Sequence, residues 1–272
     1  MSLDYALGNS VSAAQRLELQ DKQFATVSEQ LLDDLDIGLA DQVIELGIGP
    51  GTFGRRVLNR LGPTGRLMGV DYTPTLLEQA TTRLTRDGDT RFEPVLSDIC
   101  DFDRWLHPAS VILARTVLHH LPFAEVFLGE LRQRLQPQTR IGFIEPEFRI
   151  PVVNLVVQIE RGRHDLRPLL TWNRHIIDYY SRCGISLDIG VTMPQALRDA
   201  GFQNLRHRWQ PTPLDKVVLQ NMLLFYEEVR EKITAMGVCT EAEIDRQLEQ
   251  ISELAPVGLP AVWGTHSVTC VA

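Results

Sequence analysis

The 272-residue sequence predicts an α/β fold, a mostly parallel sheet with helices on its faces, and three observations carry that expectation. Apolar strand-like segments alternate with helix-like segments from residue 42 to residue 145, the pattern of successive β-α-β units. Two of the helix-like segments open with proline, Pro74 and Pro122, at or near the first helical position, where a missing N–H costs nothing. The stretch "VIELGIGPGTFG", Val43 to Gly54, puts four glycines into twelve residues immediately after an apolar run that ends in an acid, baring the backbone where such sheets receive ligands.

Taken along the chain, residues 12–35 repeat Leu17, Phe24, Val27, Leu31 and Leu35 at roughly helical spacing, and this helical stretch is expected to cap the domain. Strands are expected at 42–48, 66–72, 91–97, 110–115 and 140–145, with helices between them at 51–61, 74–86, near 102–107 and at 122–135. The pattern becomes irregular through 149–189. It resumes with "TMPQALRDAGF", a helix ending at Gly201, and a strand, "NLRHRWQP". In the helical insertion that follows, Leu214, Val217, Val218, Leu224, Phe225, Val229 and Ile233 line one face, and Thr240 with Glu243 forms a capping box for a further helix. "AVWGTHSVTCVA", residues 261–272, reads as a last strand. The expected organisation is one domain over 1–272: a helical cap (1–40), a ligand-binding core (41–148), a lid insertion (149–190), a helix and sixth strand (191–211), a helical insertion (212–256) and the last strand (257–272).

Composition narrows the function. With 44% hydrophobic and 23% charged residues, the chain has the makeup of an ordinary globular protein rather than a disordered one. The apolar run "VVNLVVQI" is about half of what a bilayer-spanning helix needs, and "MSLDYALGNS" lacks the basic start and apolar core of a signal peptide, so a cytoplasmic location and no membrane role are expected. Cys100, Cys183, Cys239 and Cys270 stand far apart with no C-x-x-C pair, which suggests reduced residues rather than a zinc site or a disulfide framework. A net charge of −8 offers no general attraction to a phosphate backbone, so a small molecule is expected as the partner and nucleic acid is not. One basic island stands out: Arg149, Arg161, Arg163, Arg167 and Arg174, with His164 and His175, against only Glu160 and Asp165.

The glycine loop itself admits a nucleoside or a phosphate. The dinucleotide fingerprint G-x-G-x-x-G is not met, because its third glycine would fall on Thr52 and the spacing is G-x-G-x-G with Pro50 stiffening the turn. Asp71 ends the next strand, where a carboxylate can accept from both hydroxyls of a ribose. Asp98, in "LSDI", ends the third strand; it can accept from an adenine amino group while Ile99 packs on the ring. Three acid-bearing strand ends suit a ligand with positive charge better than a pyrophosphate.

With these residues the sequence resembles the class I S-adenosylmethionine-dependent methyltransferases, in particular the small-molecule branch of the ubiquinone and menaquinone C-methyltransferases. The matching residues are "ELGIGPG" (45–51), "GVD" (69–71), "SDI" (97–99), "LARTVLHHLP" (113–122) and "LRDAGF" (197–202), and the resemblance covers about 42–210 and the final strand. It implies a Rossmann-like doubly wound sheet of seven strands with the last antiparallel. It further implies S-adenosyl-L-methionine held by Glu45, Gly47, Gly49, Gly51, Asp71, Tyr72, Asp98, Ile99 and Arg115. The insertions at 213–256 and 149–189 depart from the family, which has a short turn at the first of these places.

Methyl transfer from a sulfonium is an in-line displacement, so alignment in a dry pocket does most of the work and the protein adds a base. His119 and His120 follow the fourth strand and are the candidates, His120 foremost; the alternative is that both only bond at a helix entry. Glu145 ends the fifth strand, where it orients or deprotonates substrate or else bonds loop backbone. No ligand spacing demands a metal. Arg163, His164 and Arg167 either grip an anionic substrate or form a solvated lid surface, and Trp172 and Tyr179 line an aromatic-accepting pocket or fill a core. The amphipathic insertion serves as packing surface or as a homodimer contact. Two rival readings remain: an NAD-linked oxidoreductase and a non-catalytic binding partner on the same fold.

Overall fold

The structure is a computed structural model that describes residues 11–254 and 259–272. The chain forms two compact units, one comprising residues 24–145, 189–209 and 266–272, the other the described residues up to Gln23 with 146–188 and 210–265.

The first unit is built on the sheet. The strands of the sheet are β1 (Gln42–Leu46), β2 (Arg66–Asp71), β3 (Phe92–Leu96), β4 (Val111–Arg115), β5 (Arg140–Glu147), β6 (Gln203–Leu214) and β7 (Leu259–Val271), in the order β3-β2-β1-β4-β5-β7-β6; the unit holds β1 to β4 whole and the parts of β5, β6 and β7 that fall within its bounds. Strands β1 to β5 pair in parallel, with Val43 opposite both Leu67 and Val111. Because β2 lies on one side of β1 and β4 on the other, the strand order reverses at β1, and the crevice beyond its carboxyl end is the ligand position of open α/β sheets. At the other side of the sheet the Ala272 N–H donates to the Thr139 carbonyl (2.9 Å) and the Gln138 N–H to the Ala272 carbonyl (3.2 Å). The end of β7 therefore meets the start of β5, and the expected seven-stranded sheet with an antiparallel last strand is present.

Successive strand residues point to opposite faces, so each face receives its own core. Val43, Leu67, Leu113 and Ile144 pack with Leu31 and Leu32 of α2 (Ala25–Asp34), Val57 of α3 (Thr52–Leu58) and Leu84 of α4 (Pro74–Leu84). Ile44, Met68, Ile112 and Phe143 pack with Trp105 of α5 (Phe102–Trp105), Leu128 of α6 (Ala124–Arg134) and Leu197 of α9 (Ile189–Asp199).

The second unit is helical: α1 (Val11–Gln23), α7 (Ile150–Glu160), α8 (Arg167–Arg182), α10 (Lys216–Ala235) and α11 (Glu241–Ser252). The two insertions expected separately share one core here, in which Leu155, Leu169, Trp172, Tyr226 and Ile244 meet. Two expectations are corrected. The helical stretch of 12–35 breaks at Phe24, and only its second half, α2, covers the sheet; α1 packs on α10, where Arg16 and Glu228 form a buried ion pair at 2.5 Å. The segment 149–189, irregular in the sequence, folds as α7 and α8 joined by a 3-10 turn at His164–Leu166. Leu169, Trp172, Ile176, Tyr179 and Tyr180 recur at helical spacing and pay for that ordering by burial. On α10 the stripe runs Val218, Met222, Phe225, Tyr226, Val229 and Ile233, with Val217 and Leu224 half-buried at its margins. The Thr240–Glu243 capping box is present as expected.

Candidate functional site

Gly47, Gly49 and Gly51 all take positive φ, at 62°, 54° and 77°, so the loop after β1 runs through left-handed backbone that other residues enter at a cost. The three have different surroundings. A Cβ on Gly47 would fall 2.5 Å from Val117 Cγ2, and one on Gly51, which caps α3, would fall 3.1 Å from Leu84 and the Ala80 backbone. A Cβ on Gly49 would meet nothing within 4 Å. The loop is thus clamped at both ends and open in the middle.

Asp71, at the end of β2, is buried and fastens the open glycine: its Oδ2 accepts from the Gly49 N–H (2.9 Å) and its Oδ1 from the Thr73 N–H (2.8 Å). Burial nevertheless pushes the Asp71 carboxyl above its ordinary value, with the amides of Thr73 and Gly49 pulling the other way. Beside it the half-exposed Tyr72 phenol is pushed up to about 12 by burial and by the charges of Asp71 and Asp98, so it stays a neutral donor. Asp98 is exposed and accepts from the Cys100 N–H (2.9 Å), whereas Ile99 is buried in the sheet core and its carbonyl accepts from Trp105 Nε1 (3.0 Å). Glu45 is buried against α3, where a Cβ on Gly54 would fall 3.1 Å from its Oε2.

Arg115 closes β4. It donates to Ser28 Oγ of α2 (3.2 Å) and to Thr52 Oγ1 at the start of α3 (3.0 Å), and it lies over the Phe53 ring at 4.9 Å. The next residue, Thr116, is β-branched yet has φ 57°, a strained conformation of the kind that gathers at functional sites. The chain then turns through Val117 into a 3-10 turn, Leu118–His120. Glu145, with no exposure at all, is at the centre of that turn: Oε1 accepts from the N–H of Val117 (3.0 Å) and Leu118 (2.7 Å), and Oε2 lies 2.7 Å from His119 Nδ1. His119 is buried, and His120, half-exposed, packs its ring on it at 4.0 Å between centroids. His119, His120 and Glu145 do come together, although no metal-holding group of His, Cys, Asp or Glu exists among the described residues.

The expected substrate residues are in the helical unit. Arg163 pairs with Asp165 (2.7 Å), and His164 and Arg167 line a cavity of about 430 Å³ with Thr171 and Gln247. Trp172 and Tyr179 are core residues, at 2% and 0% exposure. Sequence reasoning did not find Ser28, Thr52 or Val117, whose parts in the site depend on contacts between distant segments. The positive φ of Thr116 left no trace in its residue type.

The donor set fits a cationic nucleoside. It offers an open left-handed glycine, a carboxylate at the end of β2 and the exposed Tyr72 and Leu96 beside it, with the acids Glu45, Asp71 and Asp98 at three strand ends. A pyrophosphate would meet those charges unfavourably.

Comparison with known proteins agrees with this layout. Residues 44–141 match the methyltransferase domain family. An uncharacterized 37.1 kDa protein in transposon TN4556 of Streptomyces fradiae is 30% identical over 174 residues, covering 63% of this chain and 46% of that protein. Among solved structures, the Haemonchus contortus phosphoethanolamine N-methyltransferase 2 in complex with S-adenosyl-L-methionine is similar, with a TM-score of 0.56, 14% identity, and coverage of 90% of this chain and 52% of that one. The cyclopropane synthase MmaA2 from Mycobacterium tuberculosis gives a TM-score of 0.58 at 14% identity, covering 91% and 84%. At these identities the likeness to solved structures is one of fold, and the chain spans about half the length of the transposon protein and of the nematode enzyme. Residues 44–141 thus carry the match to a methyltransferase domain, set in a seven-stranded Rossmann-like sheet.

Proposed function

We propose that the protein is an S-adenosylmethionine-dependent methyltransferase acting on an O, N or C atom of a small organic molecule, in the branch that includes the quinone C-methyltransferases. The observation that carries this reading is the bond between Asp71 and the open Gly49, inside the segment that matches a methyltransferase domain. Gly47, Gly49 and Asp71 hold the nucleoside, with Tyr72 and Asp98 beside the base and Arg115 steadying the entry of α3. Bound there, the donor supplies an electrophilic methyl group on a sulfonium. His120, the more accessible imidazole of the turn after β4, takes the proton that the substrate's O–H, N–H or C–H releases.

The test is calorimetric titration of the purified protein, freed of copurified ligand, with S-adenosylmethionine, S-adenosylhomocysteine and NAD in parallel. Micromolar binding of the two sulfur nucleosides, about −8 kcal/mol, with none for NAD is expected. Binding of NAD alone would turn the reading toward an oxidoreductase, which the acids at three strand ends disfavour.

A further inference from the structure

We propose that Glu145 is the positioning residue of this site: it sets the tautomer of His119 and holds the turn after β4 against the glycine loop. The inference rests on the methyltransferase reading of the site. Its geometry is that of a buried carboxylate with all its partners on one turn. Oε1 takes two backbone N–H groups, from Val117 and Leu118, and Oε2 faces the imidazole of His119 at 2.7 Å. A carboxylate surrounded by donors acts as acceptor, so His119 carries its proton on Nδ1 and its lone pair on Nε2.

The effect reaches both halves of the site. On one side, the His119 ring is the surface on which the His120 ring rests at 4.0 Å, so fixing the first ring orients the second. On the other, the Val117 amide held by Glu145 belongs to the residue whose methyl group occupies the space a Cβ on Gly47 would need. Thr116, strained at φ 57° between β4 and Val117, is kept in place by that same anchorage and by its own N–H bond to the Ile144 carbonyl (2.7 Å). One side chain thereby couples the nucleoside loop to the turn that bears the proton acceptor, without touching either ligand.

The full chain, with ¹⁵N-labelled histidine imidazoles, tests this directly by NMR, together with calorimetry using S-adenosylhomocysteine. Wild-type His119 should show the Nδ1–H tautomer. Glu145→Gln keeps a carbonyl for the backbone amides but turns an NH₂ toward the ring, so His119 should move its proton to Nε2 while S-adenosylhomocysteine affinity stays within about threefold. Glu145→Ala should weaken that affinity at least tenfold by freeing Val117; if it does not fold, the Gln variant alone decides. An Nε2–H tautomer in the wild type, or an unchanged tautomer in Glu145→Gln, would overturn the proposal. If the wild type binds no S-adenosylhomocysteine, the cofactor reading fails, and the imidazole spectra still settle whether Glu145 sets His119.

Discussion

At Asp71 two physical effects oppose each other: burial raises the carboxyl above its ordinary value of 3.8, and the amides of Thr73 and Gly49 lower it. The folded chain therefore holds this proton to higher pH than the unfolded chain does. The group's contribution to stability is full below the ordinary carboxylate range and is lost as pH rises through the raised value. Ribose hydroxyls donate to the ionised form, so binding of S-adenosylhomocysteine should weaken as pH falls through that same window. Asp71→Ala should flatten this dependence and reduce affinity by roughly 1–3 kcal/mol, read by calorimetry across pH. The glycines allow a second test. Gly49→Ala meets open space and should cost about 1–2 kcal/mol of stability, the penalty of left-handed backbone alone. Gly47→Ala adds a clash with Val117 and should cost clearly more in urea unfolding.

Among the elements, α1 shows how a buried charge can join two helices. Arg16 and Glu228 are 2% and 0% exposed as side chains, so Arg16→Ala takes a buried counter-charge from Glu228 inside the helical unit and should destabilise it by about 3–5 kcal/mol in chemical denaturation. Replacing both partners with apolar residues, R16M with E228L, should recover much of that loss. Elements of this kind were unevenly legible in the sequence. The strands β1 to β5 could be read to within a residue or two because each is a short apolar run bounded by turn residues. Segment α7 could not, because "IPVVNLVVQIE" is rich in β-branched residues that favour strands, and packing on α8 overrode that preference. Glu145 was recognisable as a strand-end acid, but its partners at Val117, Leu118 and His119 are set by the pairing of β4 with β5, which no local pattern encodes.

At the scale of the whole molecule, each unit is assembled from segments far apart in the chain. The sheet unit draws on 266–272 for the inner part of β7, where Val268, Cys270 and Ala272 are buried in the core shared with Ile112 and Phe143. Deleting residues 266–272 should therefore remove the inner half of an interior strand rather than an edge, leaving β6 without that part of its neighbour. The expected outcome is loss of cooperative thermal unfolding by calorimetry and a protein that aggregates on expression, whereas trimming a true edge strand would be milder.

Synthesis proceeds from the N-terminus, so β6 emerges before the strand that must separate it from β5. Until β7 inserts, the exposed border of β5 and both borders of β6 are open to the wrong partner, including each other. During translation the nascent protein must hold a gap in its sheet for the length of two helices, and the nucleoside crevice matures on a scaffold that closes last.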